Sequence, residues 1–436
     1  MSLLNLRARP DLRCTIAGID SPNPFWLASA PPTDKKYNCV RAFEAGWGGV
    51  VWKTLGIDPP VVNVSSRYGI HKNDGGHIVG FNNIELISDR PLEVNLREIE
   101  ETRAEWPDRV IIGSMMAPID EQAWKELAVK IANAGVHGIE LNLGCPHGMC
   151  ERGMGSAVGQ VPEFVEKTTR WVREATGLPV FTKLTPNITD ILEPAEAAKK
   201  GGANAVSLIN TVNSIVSVDL DRMAPTPVVD GKGTHGGYCG SAVKPIALNM
   251  VGEIARTLGY RDMEISAIGG IETWRDAAEF IALGASGLQV CTAAMLYGFR
   301  IVEDMNEGLQ TFMEDKGYDS LHAFRGMAVP NVVDWNELNM NFDTKAKIDP
   351  DSCIECGRCY IACEDTSHQS IAMKDKPGGG KLFEVIEEEC VGCNLCYHVC
   401  PVPDCITMEP VETTEPYLTW PDHPLNPMGK KTEAAE

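Results

Sequence analysis

The stretch Pro179-Val-Phe-Thr-Lys-Leu184, then Glu193-Pro-Ala-Glu-Ala-Ala-Lys-Lys-Gly201, then Ala205-Val-Ser-Leu-Ile-Asn210 reads as strand, helix and strand. The outer runs are short and almost wholly apolar, as strands buried on both faces require. The middle run spaces its alanines for a helix and ends on a glycine able to close one. The same unit recurs from about Asn23 to Tyr297, with strands predicted at Phe25–Ala30, Gly49–Thr54, Val110–Met115, Gly138–Leu143, Pro179–Leu184, Ala205–Asn210, Met263–Ile268 and Gly287–Thr292. Amphipathic helical stretches lie between them at Asp120–Ala134, Pro162–Ala175, Glu193–Gly201, Val243–Leu258 and Thr273–Leu283. Eight regular βα repeats with no dinucleotide fingerprint at their start predict a closed (β/α)8 barrel of the α/β class, rather than an open doubly wound sheet.

The chain has 436 residues, more than the ~250 of a single such barrel, so a smaller domain is expected beside it. Regularity falls off after Arg300, and from Asp349 the composition turns to Cys, Gly and acidic residues. The predicted division is a barrel over 1–320, a linker over 321–348, a second domain over 349–412 and a flexible tail over 413–436. With 39 Lys and Arg against 60 Asp and Glu, the net charge of −21 argues against a nucleic-acid or anionic-membrane partner. No run of about 18 apolar residues occurs, and Arg7, Arg9 and Arg13 are not followed by an apolar stretch, so a cytoplasmic location is expected.

Of fifteen cysteines, nine fall between Cys353 and Cys405. Cys353-Ile-Glu-Cys356-Gly-Arg-Cys359-Tyr-Ile-Ala-Cys363 repeats as Cys390-Val-Gly-Cys393-Asn-Leu-Cys396-Tyr-His-Val-Cys400-Pro401, the spacing of bacterial-type ferredoxins. Three thiolates of each run grip three irons of a cubane and the fourth reaches across to the other cluster. Cys353, Cys356, Cys359 and Cys400 are expected on one 4Fe-4S cluster, and Cys390, Cys393, Cys396 and Cys363 on the second. A pair of structural zinc sites is the plainer alternative. Cys405 is spare and reads as a small buried hydrophobe. Two low-potential clusters carry single electrons, so the barrel should hold a converter to two-electron chemistry, for which a flavin is the common choice.

Barrel chemistry sits where strands end. Those ends carry Lys53-Thr54, Asn142 with Cys145 beyond it, Lys183 and Asn210-Thr211. Gly269-Gly270 and Cys291-Thr292 close the last two strands ahead of helical segments, the usual place for a phosphate, and Gly240-Ser241 can add an N–H and a hydroxyl. The loop from Cys145 to Gly155 holds three glycines and reads as a lid. Cys145 at its root is a candidate general acid or base, whereas Cys14, Cys150 and Cys239 read as inert buried thiols.

Together these residues closely resemble the dihydropyrimidine dehydrogenase family, in particular its bacterial subunit bearing the pyrimidine site, with dihydroorotate dehydrogenases as more distant relatives. The resemblance runs from Asn23-Pro24-Phe25 to Cys400-Pro401. It is carried by Ala28-Ser29-Ala30, Phe43-Glu44-Ala45-Gly46-Trp47-Gly48, Asn83-Ile84-Glu85-Leu86-Ile87-Ser88, Leu141-Asn142-Leu143-Gly144-Cys145-Pro146-His147-Gly148-Met149, Lys183-Leu184-Thr185-Pro186-Asn187 and Asn210-Thr211-Val212. It implies FMN over the barrel, bordered by Ala28, Ser29, Lys53, Thr54, Asn142 and Lys183, with Lys183 near the N1–C2=O edge. The phosphate would lie against Gly240, Ser241, Gly269, Gly270, Cys291 and Thr292. Asn83, Asn142, Asn210 and Thr211 would pair with a uracil or thymine ring, oriented by Glu85, while Cys145 protonates C5 opposite a hydride delivered to C6. The family usually has Ser where this chain has Gly144.

No Gly-x-Gly-x-x-Gly follows a strand and opens a helix, so nicotinamide is expected to be oxidised elsewhere. The resemblance implies a hetero-oligomer with a flavoprotein subunit that carries FAD, an NAD(P)H site and its own iron-sulfur clusters. Two other readings stand beside this one: a dihydroorotate dehydrogenase-like flavoenzyme, which would want a basic group for the substrate carboxylate, and an electron-transfer subunit whose barrel is inactive.

Overall fold

All eight expected runs form strands, and they close on themselves. The computed structural model describes residues 9–57 and 61–428. The strands are β1 (Phe25–Leu27), β2 (Gly49–Leu55), β3 (Val110–Met115), β4 (Gly138–Asn142), β5 (Val180–Lys183), β6 (Ala205–Leu208), β7 (Glu264–Ile268) and β8 (Gly287–Val290). Each pairs in parallel with the next, and Leu288–Val290 closes the ring against Phe25–Leu27. Helices cover the outside: α1 (Lys36–Ala45), α2 (Leu92–Glu105), α3 (Glu121–Asn133), α4 (Pro162–Thr176), α5 (Leu192–Lys200), α6 (Lys244–Ile254), α7 (Trp274–Ala282), α8 (Thr292–Tyr297) and α9 (Ile301–Lys316). Local chemistry sets their starts. The Asp120 carboxylate accepts from the Ala123 N–H ahead of α3, and Thr273 and Asp276 cap one another's N–H groups at the head of α7.

The N-terminal ends of the strands are sealed by the hairpin Cys14–Ile16/Ile19–Ser21. Ile16 lies so close to Gly287 that a Cβ there would come within 1.9 Å of its Cδ1, so glycine is required where β8 begins. Inside, Trp26 and Phe181 meet edge to face at 6.0 Å, both buried. The barrel is therefore a filled core whose open end lies at the strand C-termini.

Two excursions from those C-terminal ends build a feature the sequence pattern did not reveal. Tyr68–Lys72 and Ile78–Asn83, inserted after β2, join Val212–Ser214 and Gly236–Cys239, inserted after β6, in a four-stranded antiparallel sheet. The helix expected over Val243–Leu258 is regular only as α6 and widens to a π-type turn at Ala255–Gly259.

The chain divides into two compact units between Val332 and Val333, inside the stretch expected as linker. Residues 321–332 pack on the barrel. Leu321 and Phe324 are buried, Phe324 stacks on Tyr318 at 5.3 Å, and the Arg325 guanidinium donates to Gly284 O at 2.9 Å and Tyr260 O at 2.7 Å. In the second unit, the antiparallel pair Thr344–Ile348/Ile406–Pro410 and the hairpin Ile371–Asp375/Lys381–Val385 accompany α10 (Arg358–Glu364) and α11 (Leu395–Val399). The tail expected to be flexible is tied down as far as it is described. Met340 N–H donates to Leu418 O at 2.7 Å, Tyr417 OH to Glu337 O at 2.6 Å, and Trp420 packs on Trp335. Residues 429–436 of that tail lie outside the described residues.

Arg325 fastens the segment after α9 to the barrel through two charge-assisted bonds. Arg325→Ala is expected to destabilise the barrel by roughly 2 kcal/mol or more, read as a lowered urea midpoint with an unchanged slope. A midpoint equal to the parent's would show that the strap contributes nothing.

Candidate active site

The strand C-termini open onto a cavity, the place where a barrel of this kind holds its cofactor or substrate. β1 leads into Ala28 and Ser29, β2 brings Lys53 and Thr54, β4 ends on Asn142 and β5 on Lys183; all six line it. Asn210 and Thr211 stand just past β6, Gly269 and Gly270 past β7, Cys291 and Thr292 past β8, and they line it too. Gly240, Cys145 and, from the cap, Asn83 and Glu85 complete the group. Ser241 is the one expected barrel residue outside this lining; its hydroxyl donates to Val79 O at 3.3 Å.

The polar wall is a connected chain. Thr54 Oγ1 lies 3.0 Å from Ser29 Oγ and 2.9 Å from Ser114 Oγ, and accepts from Asn142 Nδ2 at 3.0 Å. Asn142 Oδ1 accepts from Asn210 Nδ2 at 2.9 Å and from Gly144 N–H at 3.3 Å, while Asn210 Oδ1 accepts from Thr211 N–H at 2.8 Å. Asn83 Nδ2 donates to Gly237 O at 3.2 Å. Each carboxamide spends one donor inside the protein and keeps a second for a ligand. The chain also accounts for Gly144: a Cβ there would lie 2.4 Å from Asn210 Cβ and 2.6 Å from its Nδ2, so a serine would displace the amide.

Two ammonium groups are buried here. Lys53 Nζ pairs with Glu85 Oε1 at 2.6 Å and stands 4.0 Å from Asp34 Oδ2. Glu85 also meets Arg67 at 3.4 Å and accepts from the Tyr68 hydroxyl, whose ionisation is pushed up by burial and by that carboxylate. Burial likewise raises Asp34. The Lys183 ammonium has one ionic contact, Glu140 Oε1 at 3.7 Å, and no hydrogen bond among the described residues. No arginine lines the cavity among the described residues.

Cys145 is buried, its thiol 3.4 Å from His147 O, and burial pushes it up to about 11. It is therefore protonated at neutral pH, the state a proton donor needs. The following loop folds back on it: Ser156 N–H donates to Cys145 O at 3.0 Å, and Cys145 packs with Ile87, Met116 and Met149. His147 Nε2 donates to Glu85 O at 3.0 Å, and burial lowers that ring's pKa. Of the thiols expected to be inert, Cys14 is buried and held up at about 12, Cys150 is half-buried, and Cys239 instead lines the cavity, accepting from Thr292 Oγ1 at 3.2 Å.

At one edge Gly240 (φ +90°), Gly269 (φ +127°) and Gly270 (φ +72°) all occupy the left-handed region. A Cβ on Gly270 would come 2.9 Å from Lys244 N and 3.0 Å from Gly240 O. Backbone left bare in this way suits a phosphate. With Lys53 and Lys183 beside the polar wall, the residues present fit a flavin mononucleotide.

In the second unit the expected sets of cysteines share walls. Cys353, Cys356, Cys359 and Cys400 line one small cavity, with Cys405 alongside; Cys363, Cys390, Cys393 and Cys396 line another. Among the described residues no three His, Cys, Asp or Glu converge on a point able to hold a single ion. The thiols surround a volume, which suits a cluster better than zinc.

Gln289, buried in the cavity lining, and Glu140, buried outside it, were missed in the sequence, although each is a polar residue flanked by apolar ones within a strand run, and that was the available signal. Asp34 and His147 carried none.

A parallel barrel with a glycine cradle, buried lysines and an amide wall, in one chain with a cysteine-rich domain, fits an oxidoreductase of the flavin and iron-sulfur class. The chain belongs to the dihydroorotate dehydrogenase family, whose model matches residues 11–313, and a 4Fe-4S dicluster domain model matches residues 346–408. It is 46% identical over 404 residues, 92% of this chain and 96% of the relative, to the NAD-dependent dihydropyrimidine dehydrogenase subunit PreA of Escherichia coli (strain K12). It is 42% identical over 340 residues to the chloroplastic dihydropyrimidine dehydrogenase (NADP(+)) of Arabidopsis thaliana, covering 76% of this chain and 80% of that one. It is 36% identical over 324 residues to the catalytic subunit of dihydroorotate dehydrogenase B (NAD(+)) of Thermococcus kodakarensis, covering 73% and 98%. No helix among the described residues is long and apolar enough to cross a membrane.

Proposed function

We propose that this chain is the catalytic subunit of a dihydropyrimidine dehydrogenase, reversibly reducing the 5,6 double bond of uracil or thymine. The observation that carries this reading is the cavity's inventory: the carboxamides of Asn83, Asn142 and Asn210 and a protonated, buried Cys145, with no arginine among the described lining residues. A pyrimidine edge alternates carbonyls with ring N–H groups, and Asn83, Asn142 and Asn210, with Thr211, offer matching donors and acceptors. Dihydroorotate carries a carboxylate, for which the cavity offers no free guanidinium; Lys53 is already neutralised by Glu85.

Lys53, Lys183, Ser29 and Thr54 would hold the FMN ring, and Gly240, Gly269, Gly270, Cys291 and Thr292 its phosphate. FMN, when bound, supplies the hydride for C6. The protein's residues do the remainder: the amides fix the ring, the loop after Cys145 excludes water, and the Cys145 thiol gives its proton to C5, so that hydride and proton together saturate the bond. The eight paired cysteines would carry two 4Fe-4S clusters, and the electrons would come from a partner subunit with FAD and an NAD(P)H site.

Mixed anaerobically with the purified chain, dihydrouracil is expected to bleach the flavin absorbance and dihydroorotate to leave it unchanged; the reverse order would favour the dihydroorotate reading. Cys145→Ser is expected to bind uracil within a few-fold of the parent while turnover falls by ~10²–10⁴, the usual worth of a positioned proton donor. Because burial holds the thiol up at about 11, its deprotonation should cost the parent no activity between about pH 6 and 9. A Cys145→Ser enzyme working near the parent rate over that range would remove Cys145 from the chemistry.

A further inference from the structure

From the cavity lining inward runs a polar cluster that the proposed chemistry does not use. Glu140, on β4, is completely buried, and Gln289, on β8, is 1% exposed. Gln289 Nε2 lies 2.9 Å from Glu140 Oε2, 3.0 Å from Ser266 Oγ and 3.4 Å from Ser207 Oγ, two serines that are fully buried themselves. Glu140 Oε1 has no hydrogen-bond partner among the described residues; the group that faces it is the Lys183 ammonium, 3.7 Å away. A carboxylate is costly to hold in a barrel core, and hydrophobic side chains fill such positions more cheaply. Its retention beside a buried cation that itself has no hydrogen bond needs a reason.

The spacing supplies one. Lys183 lines the cavity and Glu140 does not, so an occupant sees the ammonium directly and the carboxylate through it. Lys53 at the other wall is already matched by Glu85 at 2.6 Å, which leaves Glu140 as the group that decides how much positive charge the floor presents.

We infer that Glu140 is a positioning residue: held by the Gln289 amide, it is the buried counter-charge of Lys183 and sets how strongly that cation pulls electron density from the bound ring. Neutralising it leaves the ammonium uncompensated in a low-dielectric site, where the anionic form of any occupant is favoured. The inference rests on the reading of this cavity as a flavin site.

Sulfite provides the probe. It adds reversibly to an oxidised flavin and leaves negative charge on the ring edge, so its affinity reports nearby positive charge. In the flavin-loaded Glu140→Gln protein, sulfite is expected to bind about tenfold tighter or more, equivalent to about 1.4 kcal/mol, and the flavin midpoint potential to move positive. In a Lys183→Gln background the same substitution should produce no such tightening, because the effect runs through the lysine. Should Glu140→Gln not fold, Glu140→Asp draws the carboxylate back by one methylene and is expected to shift affinity the same way by less. Sulfite affinity that is unchanged or weaker in the variant that folds overturns the inference, whereas a parent protein that retains no flavin would overturn the reading of the cavity beneath it.

Discussion

Two lysine ammonium groups, Lys53 at 5% and Lys183 at 6% exposure, are buried where a parallel barrel ends, and much of the surrounding structure serves to keep them there. Removing such a charge from water costs several kcal/mol even after relaxation, so each needs a partner held in place by something rigid. For Lys53 the partner is Glu85, delivered by the segment that follows the cap strand Ile78–Asn83, with Asp34 behind it. For Lys183 it is Glu140, one strand away and held by a hydrogen bond from Gln289. Strand pairing sets these distances, since Asn142 on β4 sits opposite Lys183 on β5.

The cap sheet follows from the same requirement. Without Ile78–Asn83 and Gly236–Cys239 over the mouth, Glu85 would have no platform and both lysines would face solvent, where their charge is screened. The cap also brings Asn83 to the wall and gives His147 a carbonyl, Glu85 O, to hold. Charge, amides and the Cys145 thiol thus share one cavity.

The barrel strands were legible because parallel strands covered on both sides are continuous apolar runs, and the residues at their ends could be picked by position alone. Lys183 and Asn142 were found in that way. The cap sheet was not, since its strands are short, come from two distant insertions and carry little apolar alternation; Asn83 and Glu85 entered only through resemblance. α2 hides a buried face of Leu92, Leu96 and Ile99 among many Glu and Arg residues. Glu140 was passed over because one carboxylate in Gly138–Asn142 does not disturb a strand pattern, although a charge in such a run is informative for that very reason. The tail reads as flexible from its Pro, Lys and Glu content, yet among its described residues Tyr417 and Trp420 make contacts with Glu337 and Trp335.

The central claim is that one chain couples a flavin in the barrel to two clusters in the cysteine-rich unit. Its most direct test is the cofactor content of the anaerobically purified protein. About one FMN and ~8 irons per chain, with matching acid-labile sulfide, is the predicted result. Zinc in place of iron, about four irons, or a chain free of flavin would contradict it.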